Sequence, residues 1–274
     1  MKNIDNSSLA TVNVPLPEFP FPVDPDDHCE SPMESYKDII PLLNLLDAQI
    51  YTNSKTNTTG NMVIRIYDPY YCDGAVIRNF LSLGFTNIYN RKENCYAMWE
   101  AASETAASND KTTSNTNIMN LFDVLVTNPP YSEDHIERLI RFVTSDMFIH
   151  RQTPWFLLLP QWVHKKDYFI NATTKANLTS SQKHLQPFYL IPKKRYVYTP
   201  PPNFRLPTKS DIHKKSSPFI SMWYCWGGTI ALNEKLIQHF YDTKNCHINE
   251  TCDLARTKNA IRDLRRNHTL QQHK

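Results

Sequence analysis

Phe122-Asp123-Val124-Leu125-Val126-Thr127, followed at once by Asn128-Pro129-Pro130-Tyr131, is the stretch that decides the fold class. The first six residues are apolar and β-branched and predict a buried strand. The two prolines end it in a rigid turn. Each fixes φ near −65° and removes a backbone donor, so neighbouring carbonyls stay free to accept from another molecule. In open α/β sheets ligands bind at the carboxyl ends of strands, which is where this turn sits. The bland alternative is a plain strand-to-loop turn, since Asn-Pro favours turns in any setting.

Upstream, Met62 to Tyr67 predicts a first buried strand and Asp68-Pro69-Tyr70-Tyr71-Cys72-Asp73-Gly74 a loop. Ala75 to Leu83, with apolar residues at 76, 77, 80, 81 and 83, suits a helix ended by Gly84. Phe85 to Tyr89 predicts a second strand. Before all of these, Met33 to Ile50 reads as a leading helix. Downstream, Ile136, Leu139, Ile140, Val143 and Met147 line one face of a helix over 134–150. Trp155 to Leu159 is a continuous apolar run, as in a parallel strand buried on both faces. Phe188 to Ile191 and Phe219 to Trp226 are further strands, and Asn233 to Tyr241 a last helix. Strands alternating with helices predict an α/β protein.

The Asn128-Pro129-Pro130-Tyr131 turn and the strand–acidic loop–helix–glycine–strand unit at 62–89 resemble class I S-adenosylmethionine-dependent methyltransferases that act on planar nitrogens. That group includes N6-adenine methyltransferases of DNA and RNA and glutamine-N5 protein methyltransferases. The resemblance covers roughly residues 36–242. It implies a Rossmann-like class I methyltransferase fold, with a mostly parallel seven-stranded sheet and helices on both faces; the strand candidates above number six. It also implies S-adenosyl-L-methionine as cofactor. Asp68 or Asp73 would face the donor's ammonium, with Tyr70 in the same loop, and Gly74 would let the backbone come close. Glu93 is the nearest carboxylate for the ribose hydroxyls, in Asn90-Arg91-Lys92-Glu93, and Tyr96 stands beside the adenine. Asn128, Pro129, Pro130 and Tyr131 form the catalytic turn. The lone pair of an exocyclic amine is delocalised. Accepting its two N–H groups on the Asn128 side-chain oxygen and the Pro129 carbonyl aims that lone pair at the donor methyl. Tyr131 would stack on the target ring, a contact worth roughly 1–3 kcal/mol.

Composition bounds the rest. With 274 residues and 41% apolar content the chain buries one sizeable core, and no run has the length of a membrane helix. Its six cysteines form no C-x-x-C pair. Cys246, His247 and Cys252 make only a weak metal motif, so no metal is expected, and reduced thiols in a cytoplasmic or nuclear protein are the simpler account. Three regions are expected apart from the 34–245 methyltransferase-like domain. They are a disordered Pro-rich tail over 1–33, a low-complexity insertion over 101–118, and a basic C-terminal tail over 246–274. Leu254, Ile261 and Leu264 favour a helix in that last tail, whose cations include Arg256, Lys258, Arg262, Arg265 and Arg266.

Net charge is only +3, but positive charge is clustered. Lys193, Lys194, Arg195, Tyr196 and Tyr198 lead into a proline-rich segment ending in Phe204 and Arg205, and His164 joins from the neighbouring strand. Cations interleaved with aromatics suit phosphate contact plus base stacking; a solvated loop is the alternative. RNA is a cheaper acceptor than DNA, because a base inside a duplex must first be flipped out. Two other functions stay open at this point. One is a protein glutamine or lysine N-methyltransferase. The other, prompted by the single glycine of the 68–74 loop, is an inactive scaffold or nucleic-acid-binding subunit working with a partner subunit. No membrane partner is expected.

Overall fold

The computed structural model describes residues 29–53, 62–107, 118–179, 185–199, 220–246 and 250–272, together with Pro20. Where the sequence predicts one leading helix there are two, α1 (Met33–Lys37) and α2 (Ile40–Asn53). The reason is Pro41. It has no N–H to bond back to Lys37 and its ring clashes with the preceding turn, so it is tolerated only at a helix start.

The chain continues as β1 (Arg65–Tyr67), α3 (Ala75–Ser82), β2 (Asn87–Tyr89), α4 (Cys95–Ala107), β3 (Val124–Thr127), α5 (His135–Val143) and α6 (Asp146–His150). It closes with β4 (Trp155–Pro160), α7 (Asp167–Thr179), β5 (Phe188–Pro192), β6 (Ser221–Trp226), α8 (Ile230–Asn245), β7 (Cys252–Ala255) and α9 (Lys258–Gln272). The helix expected over 134–150 is broken at Ser145, whose Oγ caps the next helix by accepting from the Phe148 N–H (3.4 Å).

The strands form one seven-stranded sheet in the order β2-β1-β3-β4-β6-β5-β7. Pairing is parallel from β2 through β1 and β3 to β4, and antiparallel at β4–β6, β6–β5 and β5–β7. The protein is therefore α/β with a mixed sheet. The parallel arrangement expected of it holds over the first four strands of that order.

Side chains alternate between the two faces, as strands require. Val124, Val126, Phe156, Leu158, Trp223 and Cys225 pack with α1, α2, α3 and α8 on one side. Leu125, Trp155, Leu157, Leu159, Tyr224 and Trp226 pack with α4, α5, α7 and α9 on the other. Every residue of β3, β4, β5 and β6 is buried. Each large apolar side chain so placed contributes roughly 1.5–3 kcal/mol relative to exposure.

Two segments lie in the fold where the sequence suggested otherwise. Residues 101–107, expected within an insertion, are the end of α4, with Ala102 buried; 108–117 fall outside the described residues. The segment from 246, expected as a tail, supplies the edge strand β7 and the helix α9, whose Ile261 is 3% exposed. Of the expected N-terminal tail only Pro20 and 29–33 are described. Glu30 there makes a two-bond bridge with Thr199.

Candidate functional site

After β1 the chain adds β2 on one side and then crosses back to place β3 on the other. That reversal lies at the carboxyl ends of β1 and β3, the place where ligands bind in such sheets. Asp68 is the first residue after β1, and Thr127 closes β3. They meet there: the Thr127 hydroxyl donates to Asp68 Oδ1 at 2.6 Å. The Tyr70 N–H donates to the same oxygen at 3.0 Å. No hydrogen bond to Oδ2 occurs among the described residues. Asp68 is 3% exposed, and burial pushes its carboxyl up to about 7 against these two bonds.

Asn90, the first residue after β2, is also 3% exposed. Its Nδ2 donates to the carbonyls of Asp68 (3.1 Å) and Tyr70 (3.3 Å), while its Oδ1 is buried with no hydrogen-bond partner among the described residues. An acceptor left this way costs on the order of 1–3 kcal/mol. Asn90 was not singled out as a site residue in the sequence. The available signal was its position, directly after the second strand, where the resemblance calls for a ribose contact. Glu93, the carboxylate chosen there, instead accepts the Tyr89 hydroxyl (2.7 Å) beside Arg91.

Along the same edge, the Asn128 turn is braced by its own aromatic. The Tyr131 hydroxyl donates to Asn128 Oδ1 (2.7 Å), lies 3.3 Å from the Leu158 carbonyl, and approaches the Tyr198 hydroxyl at 3.4 Å. Tyr198 in turn meets Ser221 Oγ at 2.5 Å. Pro129 is buried; Asn128, Pro130 and Tyr131 are half-buried.

The 68–74 loop is packed with rings. Tyr70 OH lies 3.2 Å from Tyr96 OH, which also bonds His135 Nδ1, and Arg138 stacks on the Tyr96 ring with its guanidinium carbon 3.4 Å from the centroid. Gly74 caps α3 with φ 72°, and a Cβ there would meet Tyr71 Oη at 3.2 Å. The Asp73 carboxylate acts on Glu30, which ion-pairs with Arg78 at 3.1 Å.

The residues expected to contact substrate divide into two sets. Lys194, Arg195 and Val197 are exposed, Lys193 is half-buried, and Tyr196 and Tyr198 are only 6% and 7% exposed. From Arg195 to Tyr198 side chains alternate between opposite sides, so Arg195 and Val197 face out while Tyr196 and Tyr198 face in. The Tyr196 hydroxyl donates to Asp38, on the α1–α2 side of the sheet. Stacking on substrate by Tyr196 and Tyr198 is thereby replaced by packing, and 200–205 lies outside the described residues. His164 is buried just past β4. Its Nδ1 bonds the Gln161 carbonyl, its backbone N–H donates to Tyr224 Oη (3.0 Å), and burial holds its pKa below the usual value.

No protein-family profile, no curated protein and no solved structure matches the chain.

Proposed function

We propose that the chain is an S-adenosylmethionine-dependent N-methyltransferase of Rossmann-like class I fold, working on adenine N6 in RNA or DNA in the cytoplasm or nucleus. The observation that carries this reading is the Thr127–Asp68 hydrogen bond at the strand-order reversal. It joins the loop that the resemblance assigns to the donor with the strand that presents Asn128-Pro129-Pro130-Tyr131.

The residues fit the cofactor on two counts. Among the described residues, Asp68 is a buried carboxyl with no cation against it, and the Asn90 Oδ1 is a buried acceptor with no donor. An ammonium and a ribose hydroxyl are what these two groups need. When bound, the cofactor supplies an electrophilic methyl group. Asp68 and Asn90 would hold and orient it; Gly74 is buried beneath the Tyr71 hydroxyl, so the backbone approach expected there is closed. Asn128 Oδ1 and the Pro129 carbonyl accept from the target amine. An amide oxygen carries two lone pairs, so Asn128 can hold the Tyr131 hydroxyl and the amine together. In that role Tyr131 orients the amide. After transfer the cationic nitrogen sheds its proton to water without a strong base.

A second reading, a donor-free scaffold, draws on the closed cluster of Tyr70, Tyr96 and His135 beside Asp68. Incubating the protein with methyl-labelled S-adenosylmethionine and cell extract tests the proposal. Label recovered as N6-methyladenosine after nuclease digestion is the expected result. Label released by protease instead would move the acceptor to protein glutamine or lysine, and no label at all would favour the scaffold.

A further inference from the structure

Among the described residues, Arg265, on α9, has both Nε and Nη2 buried with no hydrogen-bond partner. A guanidinium presents five donors in a fixed fork and is not deprotonated, so burying two of them unmet is costly. The groups whose charge acts on it are Tyr224, Arg195 and Tyr196, with no carboxylate among them. Lys258 and Lys165 add positive charge around the adjacent His164. The place is fixed by Tyr224, whose hydroxyl donates to the Pro160 and Gln161 carbonyls (2.9 and 3.3 Å) at the carboxyl end of β4. Arg195, Lys165 and Lys258 are exposed, and Arg265, Lys165 and Lys258 all act on His164. On the far side Arg265 acts on His268, whose Nε2 meets Asp253 at 2.6 Å. A group of cations with unmet donors is complementary to an anion, and a guanidinium fork matches a phosphate.

We infer that Arg265, with Arg195 and Lys258, forms a subsite for a backbone phosphate of a single-stranded nucleic acid, flanking the nucleotide held at Asn128. The inference rests on the nucleic-acid reading of the acceptor. Strand order supports the spacing: β4 neighbours β3, and β5, which leads to Arg195, lies three strands from β3. At about 4.8 Å per strand these strands lie roughly 5–14 Å sideways from β3. His164 contributes shape rather than charge. Its Nδ1 is committed to the Gln161 carbonyl and its pKa is held low by burial.

The test is binding of a fluorescent single-stranded oligoadenylate RNA to the full chain, without methyl donor, over a series of salt concentrations. Arg265→Met keeps the apolar stem and removes the charge. It should weaken binding about five- to tenfold and shrink the slope of log affinity against log salt by roughly 0.7, the value for one phosphate on a single strand. Arg265→Lys should keep most of that slope. The melting temperature of Arg265→Met should match or exceed wild type, because an unmet buried cation is removed. Unchanged affinity and slope would overturn the subsite, as would loss of stability with RNA binding intact. Should Arg265→Met fail to fold, the exposed Arg195→Gln must lower the slope in its place, and an unchanged slope there overturns the inference equally. An acidic glutamate peptide that binds through Arg265 while RNA does not would also overturn it. Because no donor is present, methyl transfer can fail with this subsite intact, and the reverse also holds.

Discussion

Burial lifts the Asp68 carboxyl to about 7, against about 3.9 for an aspartate in an unfolded chain. Between these values the folded state holds a proton that the unfolded chain has released, so stability falls as pH rises through this window. Above it the penalty is on the order of 4 kcal/mol. Asp68→Asn keeps an oxygen for Thr127 and Tyr70 and should raise Tm at pH 8, with the gain vanishing toward pH 4. The same variant should lose donor affinity at least tenfold, since the unmet charge is what a cationic ligand satisfies. Thermal melts at the two pH values check this, and a lower Tm at pH 8 would contradict it. Asn128→Ala belongs to the same scale. It should cut transfer by about 10²–10³-fold, the usual cost of removing one oriented polar group at the reacting centre, with donor affinity within about twofold of wild type. Parallel activity and calorimetry read that split, and equal loss of both would sink the role given to Asn128.

Elements were legible where one period dominated. The apolar runs of β3, β4 and β6 and the 3.6-residue stripe of α5 read directly from residue type. The boundaries did not, and the causes are local: Pro41 splits the leading helix, and Ser145 caps a new one. Residues 101–107 looked like linker because Ala, Ser and Thr dominate, yet Ala102 buries against the sheet and Trp99 stacks on Phe142 at 4.1 Å, so packing outweighs composition. β7 is short and flanked by charge, and its assignment depends on pairing with β5, a partner about 60 residues away that no local pattern reveals. One element junction invites a stability test. Gly228 has φ 81°, and a Cβ there would lie 2.0 Å from the Gln152 carbonyl oxygen. Gly228→Ala should destabilise by about 2–4 kcal/mol, lowering Tm by roughly 5–15 °C. A shift below about 2 °C would mean that the β6–α8 turn is looser than its geometry implies.

For the whole molecule, the meeting of the site motifs emerges only from strand order. Asp68 and Asn128 were marked in the sequence as separate motifs, and the sheet reversal brings Asp68 against Thr127, the residue before Asn128. Asn90 became visible as a site residue only through its unmet buried oxygen. The basic–aromatic stretch after β5 splits by alternation from Arg195 to Tyr198, its rings inside and Arg195 out. Among the described residues no helix is long and apolar enough to cross a membrane, and no group of three or more His, Cys, Asp or Glu side chains is placed to hold a metal ion. The junction of β1 and β3 is therefore the proposed donor site. Calorimetric titration of the wild-type chain and of Asp68→Asn with S-adenosylmethionine tests it most directly. Binding heat for wild type, strengthening from pH 6 to pH 8 as Asp68 loses its proton and weakened at least tenfold in the variant, is the predicted result. No heat from the wild-type chain at millimolar donor would contradict it.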